Sequence, residues 1–213
     1  MRPAFPGFLL RIVTALAVSV GSSFALNLAS DHPGSLPILI GNEAVRKELH
    51  LSSLQLALLK SLRGEYQDSV RKLTHPMPKT EAELAVAEKE FFAVSVRFNK
   101  RALSVMNPSQ RKRILEIEHQ VLGATSLMNS SVQSKLQLTE QQKQKIESIR
   151  KKGMGYVGKV NRKFSEDRIN ADERLDLLRK HRVSEGKSLL KILTPEQRTA
   201  FDQLCGKPLS SKS

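Results

Sequence analysis

Five histidines and one cysteine are the side chains of this 213-residue sequence best suited to metal or nucleophilic chemistry, and their spacing serves neither. His32, His50, His75, His119 and His181 never fall at ligand spacing with one another or with Cys205, whereas a structural zinc ion needs about four converging donors. No nucleophile–base signature such as GxSxG or HExxH occurs. The acid pairs Asp167/Asp172 and Glu88/Glu90 suit helix caps and solvated helix faces. Gly153-Met154-Gly155-Tyr156-Val157-Gly158 spells GxGxxG, but a dinucleotide site needs a buried strand ahead of that loop. Here the charged, helix-forming run Lys143 to Lys152 precedes it. The glycines then read as a loosened helix segment, each costing up to about 1 kcal/mol against alanine. Such a segment serves either a bend or the close approach of another helix. Cys205 has no partner for an internal disulfide and reads as a small apolar residue at a helix end. The expectation is a non-enzymatic chain with no catalytic residue, no cofactor and no metal.

The residues that do recur at fixed spacing mark helix starts. Ser52-x-x-Gln55, Asn107-x-x-Gln110, Thr139-x-x-Gln142 and Thr194-x-x-Gln197 each place a capping side chain three residues before a glutamine, and Thr80-x-x-Glu83 and Asn170-x-x-Glu173 do so with glutamate. The cap oxygen accepts a first-turn N–H, and the Gln or Glu reaches back to the cap residue's own N–H. Pro108 and Pro195 stand at the first helical position, where no hydrogen bond is lost.

Between these starts the apolar residues keep helical period. Leu59, Leu62, Tyr66, Val70 and Leu73 form one stripe; Leu84, Ala87, Phe91, Val94, Phe98, Ala102 and Val105 form another. No segment alternates with period two for long. The pattern predicts an all-α chain with helices near 43–50, 53–73, 81–106 and 108–122, then 130–137, 140–168, 171–193 and 195–205. Pro76 and Pro78 mark the first hairpin turn, and a tighter second turn falls near 167–170.

The two sets of four helices correspond. Adding 87 to the residue number brings Asn42, Val45, Leu49, Leu51, Gln55, Arg63 and Val70 onto Asn129, Val132, Leu136, Leu138, Gln142, Arg150 and Val157. It also brings Val96, Lys100, Leu103, Pro108, Gln110 and Arg111 onto Val183, Lys187, Leu190, Pro195, Gln197 and Arg198. About one position in five is identical over 42–122, which reads as a duplicated helical hairpin unit. The expected organisation is a leader (1–25), a linker or arm (26–41, with Pro33, Gly34 and Pro37), one repeat at 42–123, a joint near 123–129, and a second repeat at 129–209.

The leader follows from Arg2 and Arg11, the apolar run Ile12 to Val20, and the small-x-small site Ser23-Phe24-Ala25. The apolar run falls short of the roughly 20 residues a bilayer span needs, and an uncleaved anchor is the alternative. No later stretch approaches that length. Export to the periplasm or beyond follows. The net charge is +14, and removing the leader takes away two arginines and no acid, leaving +12. Such a field favours acidic proteins or anionic polymers, and export disfavours nucleic acid. The basic clusters are Lys100-Arg101, Arg111-Lys112-Arg113, Arg150-Lys151-Lys152, Arg162-Lys163 and Arg179-Lys180-His181-Arg182. Neighbours on a helix diverge, so each cluster wraps around its helix and makes a diffuse basic surface rather than a pocket. Plain solubility is the other use of that charge.

Leu138-Thr139-Glu140-Gln141-Gln142 and Leu193-Thr194-Pro195-Glu196-Gln197 resemble the LTxxQ motif of the Spy/CpxP-like periplasmic proteins. Leu51-Ser52-Ser53-Leu54-Gln55 and Met106-Asn107-Pro108-Ser109-Gln110 resemble degenerate copies of it. That resemblance implies an ATP-independent chaperone or envelope-stress adaptor that captures unfolded or acidic client proteins. Four motifs in one chain further imply a monomer standing for a pseudo-dimer of family protomers. The alternative is a basic structural protein that binds an anionic envelope polymer.

Overall fold

The computed structural model describes residues 35–75 and 81–209. The expected leader, residues 26–34 of the expected arm, Pro76, Pro78 and Thr80 lie outside them. The described elements are α1 (Ser35–Gly41), α2 (Glu43–Glu48), α3 (Ser53–Thr74), α4 (Glu81–Val105), α5 (Pro108–Leu122), a 3-10 helix (Gly123–Met128), α6 (Ser130–Lys135), α7 (Glu140–Ser165), α8 (Ala171–Leu190) and α9 (Pro195–Cys205). The chain is all-α, with no strand among the described residues.

Local chemistry sets these bounds. Ser52, Asn107, Thr139 and Asn170 cap α3, α5, α7 and α8 with reciprocal side-chain and backbone bonds. Thr194 does the same ahead of α9, through Thr194 N–H to Gln197 Oε1 at 3.1 Å and Gln197 N–H to Thr194 Oγ1 at 3.2 Å. Helices α2, α6 and α7 stop earlier than their apolar pattern suggests, because His50, Gln137 and Asp167 adopt left-handed φ of 48°, 51° and 54°. At the α6 exit the Gln137 N–H donates to Ser134 and the Leu138 N–H to Gln133, which satisfies carbonyls the helix leaves open. Leu138 itself turns inward and is buried.

Two compact units divide the described residues: 35–123 with 199–209, and 124–198. In the first, α3 and α4 form the long hairpin. Its core joins Leu36, Leu39, Ile40, Val45, Leu59, Phe98, Met106, Ile114 and Ile117. In the second, α7 and α8 form the hairpin, around Val157, Val160 and Leu178.

Three expectations change. Residues 35–41 are not linker: they form α1, and Leu36, Leu39 and Ile40 are core. The segment 123–129 is not a bare joint, since Thr125, Ser126, Leu127 and Met128 are buried in a 3-10 helix. Residues 199–209, expected in the second repeat, belong to the first unit. There Gln120 Nε2 donates to the carbonyls of Cys205 and Lys207, and Arg113 donates to those of Lys207 and Pro208. No described helix is long and apolar enough to cross a membrane.

Candidate functional site: glutamine clasps and a mixed helix face

The four motif glutamines come together in pairs. Gln55 and Gln110 stand 55 residues apart, yet Gln55 Nε2 lies 2.8 Å from Gln110 Oε1. Each Oε1 also accepts its own cap's N–H, from Ser52 at 3.0 Å and Asn107 at 2.9 Å. Each Nε2 also donates across the unit: Gln55 to the Val105 carbonyl at 2.8 Å and Gln110 to the Leu49 carbonyl at 3.1 Å. One side chain thus closes a helix start and fastens it to another helix end.

The same bonds recur 87 residues on. Gln142 Nε2 donates to Gln197 Oε1 at 2.6 Å and to the Ile192 carbonyl at 2.9 Å, and Gln197 Nε2 donates to the Leu136 carbonyl at 3.3 Å. Arg111 reaches the Leu103 carbonyl, and Arg198 reaches that of Leu190. Leu51, Leu138 and Leu193 are buried or half-buried beside the clasps, and Pro108 and Pro195 open α5 and α9. The motif is a device that joins helix ends, and its polar atoms are spent inside the fold.

The basic residues divide in two. Arg111 donates to the Met106 carbonyl at 2.8 Å. Arg113 pairs with Glu48 at 2.7 Å and Glu116 at 3.0 Å. Glu147 grips Arg150 through both oxygens, at 2.7 and 2.8 Å. These three were expected as surface charge and instead hold helix ends and carboxylates. Lys180 is exposed but paired with Asp176 at 2.8 Å, and Lys112 approaches Glu116 at 3.9 Å. Arg182 is half-buried, and burial pulls its guanidinium down from the ordinary arginine value. Lys151, Lys152 and Arg179 are exposed.

Helix α7 runs unbroken through Gly153, Gly155 and Gly158. Of the two readings of that segment, close approach fits Gly153: a Cβ there would collide with the Glu185 carboxylate of α8. Gly155 and Gly158 face open space. Beside Gly153, His181 stacks on Tyr156 with ring centroids 4.3 Å apart, and its Nε2 lies 3.7 Å from Glu185 Oε1. Burial pushes the Glu185 carboxyl up and the His181 imidazole down. Both changes favour the neutral forms. Cys205 is half-buried at the last residue of α9, where burial, then Asp202, push its thiol up. A raised value leaves less thiolate to react. Among the described residues no three His, Cys, Asp or Glu side chains converge as a metal ion needs.

The outward face of the hairpins carries large apolar side chains. On α4 the positions Lys89, Phe92, Val96 and Lys100 are all exposed and share one helix face. On α8 the positions Leu175, Arg179, Val183 and Lys187 do the same. Val96 and Lys100 correspond to Val183 and Lys187 under the 87-residue shift. On α3, Leu54 is 71 % exposed and Leu58, one turn on, 46 %. The periodicity that finds helices counts these residues as apolar and cannot say that they face outward. Comparison of the chain with protein-family models, with curated proteins and with solved structures finds no match to any of the three.

Proposed function

We propose that this chain is an exported, non-enzymatic binding protein of the Spy/CpxP type, which captures unfolded, partly acidic chains reversibly and without ATP. The observation that carries this reading is the mixed face on each of α4 and α8, where exposed Phe92 and Val96 lie between exposed Lys89 and Lys100, and exposed Leu175 and Val183 alternate with exposed Arg179 and Lys187. Single exposed apolar residues need no explanation. A face that sets them beside basic side chains suits an unfolded chain, whose apolar groups hold while its acids speed the encounter. Val96 and Lys100 recur as Val183 and Lys187 on the other hairpin, and the same glutamine bonds close both units. That recurrence supports a duplicated unit and a monomer that stands for two family protomers. The +14 charge and the leader-like first 25 residues support export and an acidic partner.

Light scattering from an unfolding client, with the chain from Leu26 added and no nucleotide present, tests this. Suppression near equimolar ratio that survives moderate salt is the expected result; no suppression overturns it. Exposed Lys151, Lys152 and Arg179 favour a second reading, binding of an anionic envelope polymer. Polymer binding would fall steeply as salt screens the charge.

A further inference from the structure

We propose a ligand site in the first unit, independent of client capture: a cavity between α1 and α3 that takes a small carboxylate bearing an apolar group. The cavity has a volume of about 400 Å³ and is lined by Pro37, Ile38, Gly41, Arg63, Tyr66 and Gln67, beside the α2 cap Asn42. Its chemistry is one cation on an apolar wall. Arg63 is half-buried and has no hydrogen bond or ion pair among the described residues. The ring of Tyr66 packs with Phe98 at 5.2 Å between centroids, which fixes it as wall. Ile38, 47 % exposed, adds apolar surface.

The other repeat shows what this arginine does when it is structural. Its counterpart Arg150 is held by Glu147 in a two-pronged grip. The residue equivalent to Glu147 is Lys60, so Arg63 loses its intrahelical acid and gains a neighbouring positive charge. Its positions one turn away are Leu59, Lys60, Tyr66 and Gln67, none of them acidic. The nearest carboxylate along the helix, Glu65, is engaged by Arg101. Gly41 completes the contrast: the Arg63 guanidinium carbon lies 3.0 Å from where a Cβ would stand, and the equivalent residue is Met128. A planar, forked donor against a bare backbone, freed from its acid, is poised for a carboxylate. The walls of Pro37, Ile38 and Tyr66 select one that carries a short alkyl or aryl group over a bare anion.

The experiment is a calorimetric titration of the chain from Leu26 with hexanoate, set against acetate, sulfate and butylammonium. Saturable hexanoate binding is expected, at least several-fold tighter than acetate or sulfate. Arg63→Gln should weaken it about tenfold or more, because a charge-assisted bond is lost. Lys60→Glu is the second variant. It restores the pairing of the other repeat without touching the cavity wall, and should weaken hexanoate to a similar degree while leaving the thermal melt in place. Arg150→Gln should leave binding unchanged. Equal affinity for sulfate, hexanoate binding that survives Lys60→Glu and Arg63→Gln, or no saturable binding would each overturn the site.

Discussion

Each motif glutamine carries an unusual load, because one amide closes a helix start, meets a second glutamine and reaches a distant carbonyl. Replacing Gln142 or Gln197 with alanine removes the bond between them and takes the glutamine partner from a backbone carbonyl and from the cap residue's N–H. A loss of about 1–3 kcal/mol in chemical denaturation is expected for either. The double variant should cost clearly less than the sum, since the first change already breaks the 2.6 Å Gln142–Gln197 bond. Additive losses would mean the two side chains act separately. The glycines of α7 give a second contrast. Gly155→Ala and Gly158→Ala meet open space and should stabilise the helix by up to about 1 kcal/mol each. Gly153→Ala must displace the buried Glu185 carboxylate, so it should destabilise, by about 1–3 kcal/mol if the neighbours cannot yield. A stabilising Gly153→Ala would remove the close-approach account of that residue.

At the scale of elements, helix starts were legible because capping is local: cap residue, glutamine or glutamate, and proline lie within four positions, and the observed starts of α3, α4, α5, α7, α8 and α9 fall where those signals place them. Helix ends were less legible, since His50, Gln137 and Asp167 turn left-handed without a glycine to announce it. Helix α1 was hidden by Pro33, Gly34 and Pro37, which look like linker chemistry. The burial of Leu36, Leu39 and Ile40 depends on distant α5 and α4, which no window of sequence contains. The pairing of Gln55 with Gln110 was likewise invisible, although both occupy the third position of a capped helix. One bond that docks α1 has a measurable signature. Ser35 Oγ donates to the Glu118 carboxylate on α5, and burial, opposed in part by that bond, pushes the carboxyl from 4.5 up to about 8. Glu118 is only 2 % exposed. The folded state therefore holds this proton over a range where the unfolded chain has released it. Stability should fall as pH rises from about 4.5 towards 8, with the loss complete above 8. Glu118→Gln should flatten that slope in denaturation series from pH 5 to about 8.5. Glu185, also pushed up by burial, acts with the same sign, and His181, pushed down by burial, with the opposite one. An unchanged slope would show that Glu118 does not govern it.

For the molecule as a whole, the proposed capture divides between charge and apolar surface, in steps that can be separated. The +14 field acts at a distance, so it governs how often an acidic chain arrives, and salt at about 0.5 M shortens its reach to a few ångströms. Val96 and Val183 act only in contact, so they govern how long the chain stays. Stopped-flow mixing with a fluorescently labelled, reduced acidic client should show an association rate that drops about tenfold or more between 0.05 and 0.5 M salt. Dissociation should change far less. Replacing Val96 and Val183 with serine keeps every charge and both helix faces exposed, so association should stay close to that of the parent chain. Dissociation should accelerate several-fold, since two apolar contacts of about 1 kcal/mol each are removed. If salt instead accelerates dissociation while the serine variant does nothing, the charges are the holding contact. The mixed face would then serve an anionic polymer rather than an unfolded chain.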